Sequence, residues 1–129
     1  FIFAADLMRE IELSAQISFV KLASYVGTSS TGSVCEMIGL NVDISGRDVV
    51  VVEDIVDSGL TMKYVTEMLA KYNPRSISIC TLLLKPGNLK VDLDIPYKCF
   101  SIPNDFILGY GLDYDGYGRN TRDIYTVVE

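Results

Sequence analysis

The sequence contains no histidine, and this absence narrows the chemistry open to it. It excludes a histidine general base and makes a zinc site unexpected, because imidazole is a common zinc ligand. Acid–base chemistry must therefore come from carboxylates, lysine, tyrosine or cysteine. The three cysteines, Cys35, Cys80 and Cys99, show no C-x-x-C spacing and lie in apolar surroundings. This pattern indicates reduced, buried thiols in a cytoplasmic protein.

The sequence also lacks a long apolar run and an excess of basic residues. No apolar stretch approaches the roughly 18 to 20 residues of a membrane span, so no membrane partner is expected. The 17 acidic and 11 basic residues give a net charge of −6, which argues against nucleic acid as the main partner. An acidic chain can bind a polyphosphate only through local donors, backbone N–H groups, or a divalent cation between the two negative partners.

The remaining composition is that of one globular domain of 129 residues, with 49% hydrophobic and 22% charged residues. Hydrophobic periodicity predicts an α/β architecture with one sheet. We predict helices over residues 2–12 and 60–72, strands over 16–23, 33–38, 48–52, 76–84, 97–102, 106–108 and 124–128, and polar loops over 24–32 and 115–122. The strand at 48–52 (DVVVV) is typical of one buried on both faces, and with the strand at 76–84 it should form a parallel crossover.

The start of the chain is abrupt: it has no initiator methionine, and Phe1 begins an apolar stretch. This start is typical of the interior of a strand-to-helix unit. We therefore expect the natural protein to continue upstream, and the 129 residues to form a single, truncated domain.

Residues 53–61 (EDIVDSGLT) are the most informative segment. They follow the predicted buried strand and lead into a helix, at the carboxyl end of a parallel sheet where ligands bind. Ser58, Gly59, Leu60 and Thr61 offer backbone N–H groups and two hydroxyls at a helix N-terminus, which suits a phosphate dianion. Glu53 and Asp54 offer carboxylates for a vicinal diol and for Mg²⁺. Ribose 5-phosphate carries both a phosphate and a diol.

Simpler interpretations of single residues exist. Asp57 and Ser58 could be only a helix cap, and Glu53 and Asp54 only a solvated strand end. The segment is not a Walker loop, because it lacks the lysine of that motif.

The whole pattern resembles the diphosphoribosyl-binding motif of type I phosphoribosyltransferases: a hydrophobic strand, Glu-Asp, two hydrophobic residues, Asp, a small hydroxyl residue, Gly, any residue and Thr. The resemblance implies the fold of that family, a mainly parallel central sheet flanked by helices, here with a reduced hood. It assigns Glu53 and Asp54 to the ribose hydroxyls and residues 58–61 to the 5-phosphate. It places Asp57 near the purine N7 as the proposed general base.

Downstream residues resemble the hypoxanthine-guanine branch of that family in order and spacing. By that resemblance Lys85 donates to the purine O6, Phe106 stacks on the purine ring, and the Ile107 main chain meets the 2-position. Asp113 helps to bind magnesium together with Glu53 and Asp54, and Arg119 contacts pyrophosphate. Each of these four side chains also has a purely structural interpretation: Lys85 as a solvated strand end, Phe106 as a core residue, Asp113 as a loop acid and Arg119 as a surface charge.

The loop that begins at Ser24 and Tyr25 corresponds to a lid that closes over the reaction centre in the family. The short pyrophosphate loop and the upstream strand of the family are not present before Phe1. The implied function is transfer of a 5-phosphoribosyl group from its 1-diphosphate to hypoxanthine or guanine, with Mg²⁺ as cofactor and a homodimer or homotetramer as the assembly. A xanthine-preferring transferase and a nucleotide-sensing regulator with the same fold are the alternatives.

Overall fold

The computed structural model describes residues 1–26 and 33–128. Its helices are α1 (Ile2–Glu10) and α2 (Leu60–Ala70). Its strands are β1 (Lys21–Val26), β2 (Ser33–Ile38), β3 (Asp48–Val56), β4 (Ser76–Leu84), β5 (Tyr97–Ser101), β6 (Ile107–Leu108) and β7 (Tyr125–Thr126). A short 3₁₀ turn, Pro86–Asn88, follows β4. None of the helices in the described residues is long and apolar enough to cross a membrane.

The strands form three sheets rather than the single sheet predicted. The central sheet has the order β3-β4-β5, and both of its pairings are parallel. β1 and β2 form an antiparallel pair, and so do β6 and β7. The parallel crossover from β3 through α2 to β4 confirms the prediction for residues 48–84. The small β6–β7 pair fits the reduced hood that the family resemblance implies.

Helices cover the central sheet on its two faces. On one face Met62, Val65 and Leu69 of α2 pack on a core that includes Val56 and Ile79. The other face carries a second core, in which Phe3 of α1 packs with apolar residues of β4 and of residues 102–112: Cys80, Leu82, Leu83, Ile102, Ile107 and Leu112. The prediction of an α/β fold flanked by helices is confirmed.

The side-chain alternation of β3 and β4 shifts near their carboxyl ends. Val51 packs on the α2 side, whereas Ile55, four residues later, packs on the α1 side, although both would share a face in a regular strand. β4 shows the same change between Ile79 and Leu83, and the buried Thr81 hydroxyl donates a hydrogen bond to the Leu83 carbonyl there. Both strands therefore change the sheet face on which their side chains pack near their carboxyl ends.

Several predicted boundaries were wrong. The first strand begins at residue 21 rather than 16, because the alternating residues Ile17 and Phe19 are exposed and β1 extends only where it pairs with β2. β1 reaches Val26, so residues 24–26 lie in a strand and not in the predicted loop. The chain leaves α2 before Tyr72, and Asn73 takes a left-handed conformation with φ 56° before Pro74.

The valine run of β3 is half-buried on one face and exposed on the other, contrary to the prediction. Val50 is 52% exposed and Val52 is 39% exposed. α1 packs on β4 and near the carboxyl end of β3, so it leaves this part of the sheet uncovered. β3 also extends to Val56, beyond the predicted end at residue 52, and it therefore carries Glu53 and Asp54 within the strand.

Candidate functional site

The turn between β3 and α2 forms the base of the candidate site. Gly59, the residue before the helix, has φ 84°, a left-handed conformation that glycine adopts readily. A Cβ on Gly59 would lie 2.8 Å from Leu93 Cδ1 and 3.0 Å from Val91 Cγ2, so the side chains that follow β4 would have to shift to admit one. The Lys90 N–H also donates to the Ser58 carbonyl at 2.9 Å. This glycine is therefore required by both conformation and packing.

A cavity of about 210 Å³ opens above this turn. It is lined by Glu53, Asp54, Ile55, Val56, Asp57, Ser58, Gly59, Thr61 and Met62. The structure thus brings together the predicted diol-binding and phosphate-binding residues, except that the Leu60 side chain is exposed and outside the lining. The helix N-terminus at Leu60 supplies the partial positive charge that favours an anion at this end.

The opposite end of the cavity carries two adjacent carboxyl groups. Burial and, to a smaller extent, the neighbouring Asp54 carboxyl together raise the pKa of the Glu53 carboxyl to about 8. The Asp54 N–H donates to Glu53 Oε1 at 3.2 Å, and the Ile55 N–H donates to Asp54 Oδ1 at 2.7 Å. The backbone therefore holds both carboxyl groups at the cavity edge.

A divalent cation fits this donor set only in part. Two adjacent carboxyl groups that repel each other are stabilised by a cation, and Mg²⁺ prefers oxygen ligands. Among the side chains that the structure describes, no group of three or more from His, Cys, Asp or Glu is placed to hold a metal ion. Glu53 and Asp54 would therefore share Mg²⁺ with waters and with oxygens of a bound substrate, as is usual for this ion.

Asp57 and Lys85 form an ion pair across the ends of β3 and β4. Val56 pairs with Leu84 in the parallel register, so Asp57 and Lys85 are the next residues on each strand. Lys85 Nζ donates to Asp57 Oδ2 at 3.3 Å. Lys85 is only 7% exposed, whereas the Asp57 side chain is half exposed. A buried ammonium is thus placed beside an accessible carboxylate at the edge of the cavity.

A third side chain completes this group. Asn88 Nδ2 donates to Asp57 Oδ1 at 2.6 Å and to Asn104 Oδ1 at 2.8 Å. The Asn88 hydrogen bond lowers the pKa of Asp57, and Lys85 lowers it further, while desolvation acts in the opposite direction. Asp57 is therefore ionised under neutral conditions.

The sequence prediction missed Asn88 and Asn104. The sequence analysis assigned no role to Asn88, which lies in the short 3₁₀ turn after β4. The signal that could have found it is its position three residues after Lys85, where a tight turn keeps its side chain close to the strand ends. Asn104 has no comparable signal, because its contact depends on how the chain returns after β5.

The predicted purine-stacking residue, Phe106, is accessible to a ligand. It is 56% exposed and meets the Tyr114 ring edge-to-face, with the ring centroids 5.6 Å apart. Ile107 begins β6 and packs against the core beside α1. Asn104 places this segment next to Asn88 and hence near Asp57.

Asp113 and Arg119 lie in the loop between β6 and β7, outside the lining of the cavity. They contact each other: Arg119 Nη2 is 3.1 Å from Asp113 Oδ1. Arg119 Nη1 also donates to the Gly111 carbonyl at 2.7 Å, and Asp113 Oδ2 accepts the Gly116 N–H at 2.9 Å. In this structure the predicted metal ligand and the predicted pyrophosphate ligand are partners of one another.

The predicted lid residues, Ser24 and Tyr25, have their backbone in β1, where they pair with Cys35 and Val34. Their side chains, and residues 27–32 of the predicted loop, lie outside the described part of the chain.

Comparison with known proteins identifies the family. The profile of the phosphoribosyl transferase domain matches residues 1–115. The chain is 46% identical over 127 residues to the hypoxanthine-guanine phosphoribosyltransferase of Mycobacterium tuberculosis, which covers 98% of this chain and 63% of that protein. It is 45% identical over 115 residues to the hypoxanthine phosphoribosyltransferase of Escherichia coli, which covers 88% of this chain and 65% of that protein. The chain thus spans less than two thirds of the length of these relatives.

A solved structure gives the same result. The crystal structure of a hypoxanthine-guanine phosphoribosyltransferase from Bacillus anthracis superposes with a TM-score of 0.86 at 40% identity, covering 99% of this chain and 76% of that one. The likeness extends over nearly the whole chain, including the segments that carry Asp57, Lys85 and Phe106. The chain therefore belongs to the phosphoribosyltransferase family, in its hypoxanthine-guanine branch.

Proposed function

We propose that the chain carries most of the catalytic domain of an enzyme of purine salvage. The reaction is transfer of a 5-phosphoribosyl group from 5-phosphoribosyl 1-diphosphate to N9 of hypoxanthine or guanine, releasing pyrophosphate. The names of its relatives support this reaction and do not favour a xanthine-preferring enzyme or a nucleotide-sensing regulator.

The observation that carries the proposal is the Asp57–Lys85 pair at the cavity edge. A 6-oxopurine presents an acceptor at O6 and, in its N7–H form, a donor at N7. An ammonium has only donors and an ionised carboxylate has only acceptors, so Lys85 matches O6 and Asp57 matches N7–H. Adenine presents an amino donor in place of O6, and a buried ammonium facing that donor is unfavourable. The pair therefore selects 6-oxopurines.

The sugar phosphate fits the rest of the cavity. The 5-phosphate would accept from the backbone and hydroxyl donors of residues 58–61, and the ribose hydroxyls would donate to Glu53 and Asp54. Mg²⁺ bound at these carboxylates together with the substrate diphosphate would neutralise charge on the leaving pyrophosphate.

In the chemical step N9 forms a bond to the ribose C1′ as the bond from C1′ to the pyrophosphate oxygen breaks. Electrons of the broken bond leave with pyrophosphate. The purine becomes positively charged as it attacks, and its N7 proton passes to Asp57. Lys85 stabilises the partial negative charge on the purine O6.

The remaining predicted residues have supporting roles in this proposal. Phe106 stacks on the purine and the Ile107 main chain meets its 2-position. Arg119 reaches pyrophosphate and Asp113 reaches Mg²⁺ after their mutual ion pair opens. Ser24 and Tyr25 belong to a lid that excludes water, which would otherwise compete as the nucleophile.

Two properties of the whole protein belong to the same proposal. Cys80 is buried, as predicted, whereas Cys99 is exposed, contrary to the prediction, because it lies on the uncovered strand β5. Both thiols are free, which supports a reducing compartment such as the cytoplasm. The assembly is proposed as a homodimer or homotetramer, and sedimentation equilibrium would give the number of chains.

The function is tested in a chimera that takes from the Mycobacterium tuberculosis relative the segments that this chain does not match. Asp57→Asn should lower kcat about 10²- to 10⁴-fold, the usual contribution of a positioned base. Lys85→Met, which keeps the length of the side chain, should lower kcat/KM for hypoxanthine and weaken discrimination against adenine. Lys63→Met on the exposed surface of α2 is the matched control and should change neither quantity.

Three outcomes would contradict the proposal. Unchanged purine turnover and base preference in both site variants would remove the roles given to Asp57 and Lys85. Faster turnover of xanthine than of hypoxanthine at equal concentration would favour the xanthine enzyme. Binding of 5-phosphoribosyl 1-diphosphate and purine without release of pyrophosphate would favour the regulator.

A further inference from the structure

The Asn88 side chain joins three segments of the site. Its amide nitrogen carries two hydrogens, of which one is donated to Asp57 Oδ1 and the other to Asn104 Oδ1. Both partners are acceptors at this contact, so the reverse orientation of the Asn88 amide would direct its oxygen at a carboxylate. The orientation of Asn88 is thus determined by its two partners.

This contact divides the Asp57 carboxylate between two neighbours. Oδ1 is bound by Asn88, and Oδ2 is bound by Lys85 Nζ. Two hydrogen bonds from different directions fix both the position and the plane of the carboxylate. Each carboxylate oxygen has two lone pairs, so Asp57 can still accept a hydrogen bond from an incoming purine edge.

The second bond of Asn88 extends the connection toward the purine-stacking residue. Asn104 lies in the turn between β5 and β6, where the Asp105 N–H donates to the Pro103 carbonyl at 2.8 Å. Phe106 follows two residues after Asn104. Asn88 therefore links the carboxylate that would meet N7 to the turn that presents the stacking ring.

We propose that Asn88 is a positioning residue, which orients Asp57 toward the purine N7 and couples that carboxylate to the segment carrying Phe106. This inference rests on the proposed function, in which Asp57 receives the N7 proton. Asn88 is neutral, and the charged groups that act on Asp57 are the cations Lys85 and Lys90, so the titration of Asp57 responds to the Asn88 hydrogen bond and to both lysines.

The first measurement is the titration of the Asp57 carboxyl carbon by ¹³C NMR in the 129-residue chain. Asn88→Ala removes a donor, so the pKa of Asp57 should rise. Asn88→Asp keeps the size of the side chain but replaces the donor with a carboxylate, so the pKa of Asp57 should rise further. Asn104→Ala leaves the bond between Asn88 and Asp57 in place and should shift it less than either change. The exposed Asn41→Ala is the control and should leave the titration unchanged.

The second measurement is the pH profile of kcat/KM in the chimera. The acid limb should move to higher pH in Asn88→Ala, because Asp57 must be ionised to accept a proton, and kcat/KM should fall roughly 2- to 12-fold. Asn104→Ala should raise KM for the purine with little movement of the acid limb. A merely structural role for Asn88 would lower the amount of folded protein without moving that limb.

The two parts of the reasoning fail separately. An unchanged titration of Asp57 in folded Asn88→Ala and Asn88→Asp would overturn the positioning role. An altered titration with an unmoved acid limb would also overturn it. Absence of purine transfer by the unmodified chimera would overturn the proposed function, whereas the NMR titration would still decide whether Asn88 controls Asp57.

Discussion

Gly59→Ala should destabilise the chain strongly, and the size of the effect follows from two separate terms. The left-handed φ of 84° costs a residue with a Cβ about 1–2 kcal/mol. The added methyl would lie 2.8 Å from Leu93 Cδ1, 3.0 Å from Val91 Cγ2 and 3.1 Å from Leu89 Cδ2. Overpacking of this kind costs about 1–3 kcal/mol. The free energy of unfolding should therefore fall by about 2–5 kcal/mol.

Two other glycines separate these terms. Gly46 has φ 71° and no atom within 4 Å of the added Cβ, so Gly46→Ala should show the conformational term alone, about 1–2 kcal/mol. Gly87 has neither a positive φ nor a close neighbour, so Gly87→Ala should be neutral or stabilise by about 0.4–1 kcal/mol.

The assay is urea unfolding followed by circular dichroism. With a slope of about 2 kcal/mol per molar urea, Gly59→Ala should lower the midpoint by about 1–2.5 M. A loss in Gly59→Ala no larger than the loss in Gly46→Ala would refute the claim that the segment after β4 packs tightly over this turn.

Two further predictions concern groups near the strand ends. Glu53 has a folded-state pKa of about 8, above its ordinary value of 4.5, so its contribution to stability is complete below pH 4.5 and is lost as the pH rises toward 8. Glu53→Gln should therefore flatten this part of the curve of unfolding free energy against pH, measured by urea unfolding. An unchanged slope would contradict the burial of the Glu53 carboxyl. Thr81 is 0% exposed, and its hydroxyl donates to the Leu83 carbonyl at 2.9 Å. Thr81→Val should therefore lower the free energy of unfolding by about 0.5–1.5 kcal/mol. A higher midpoint of thermal unfolding in this variant would contradict the prediction.

Residues 53–61 were predicted from the sequence as a binding segment because its parts are adjacent in the chain. The strand, the carboxylates, the glycine and the helix N-terminus follow one another, so local rules place them at one end of a parallel sheet. Apart from Leu60, these residues line one cavity, and the ligands assigned to them stay a prediction. The limits of β3 were less accurate, because hydrophobicity does not show where a strand ends when polar residues continue it.

The contacts between distant segments could not be predicted from residue patterns. The Asp57–Lys85 pair depends on the register of β3 against β4, and the Asn88–Asn104 bond depends on the path of the chain after β5. The error at residues 16–20 has a related cause. Alternating apolar residues predict a strand only where a partner strand exists, and β1 begins where β2 can pair with it.

The exposed strand β5 has a consequence for handling the protein. One side of β5 is hydrogen-bonded to β4, and among the described residues its other side has no strand partner. Tyr97 and Phe100 are both more than half exposed on this edge, which can therefore add a strand from a second molecule and begin aggregation. Lys98 and the net charge of −6 oppose such growth through repulsion between molecules. Since salt screens this repulsion, concentrated samples should remain dispersed longer in buffers of low ionic strength.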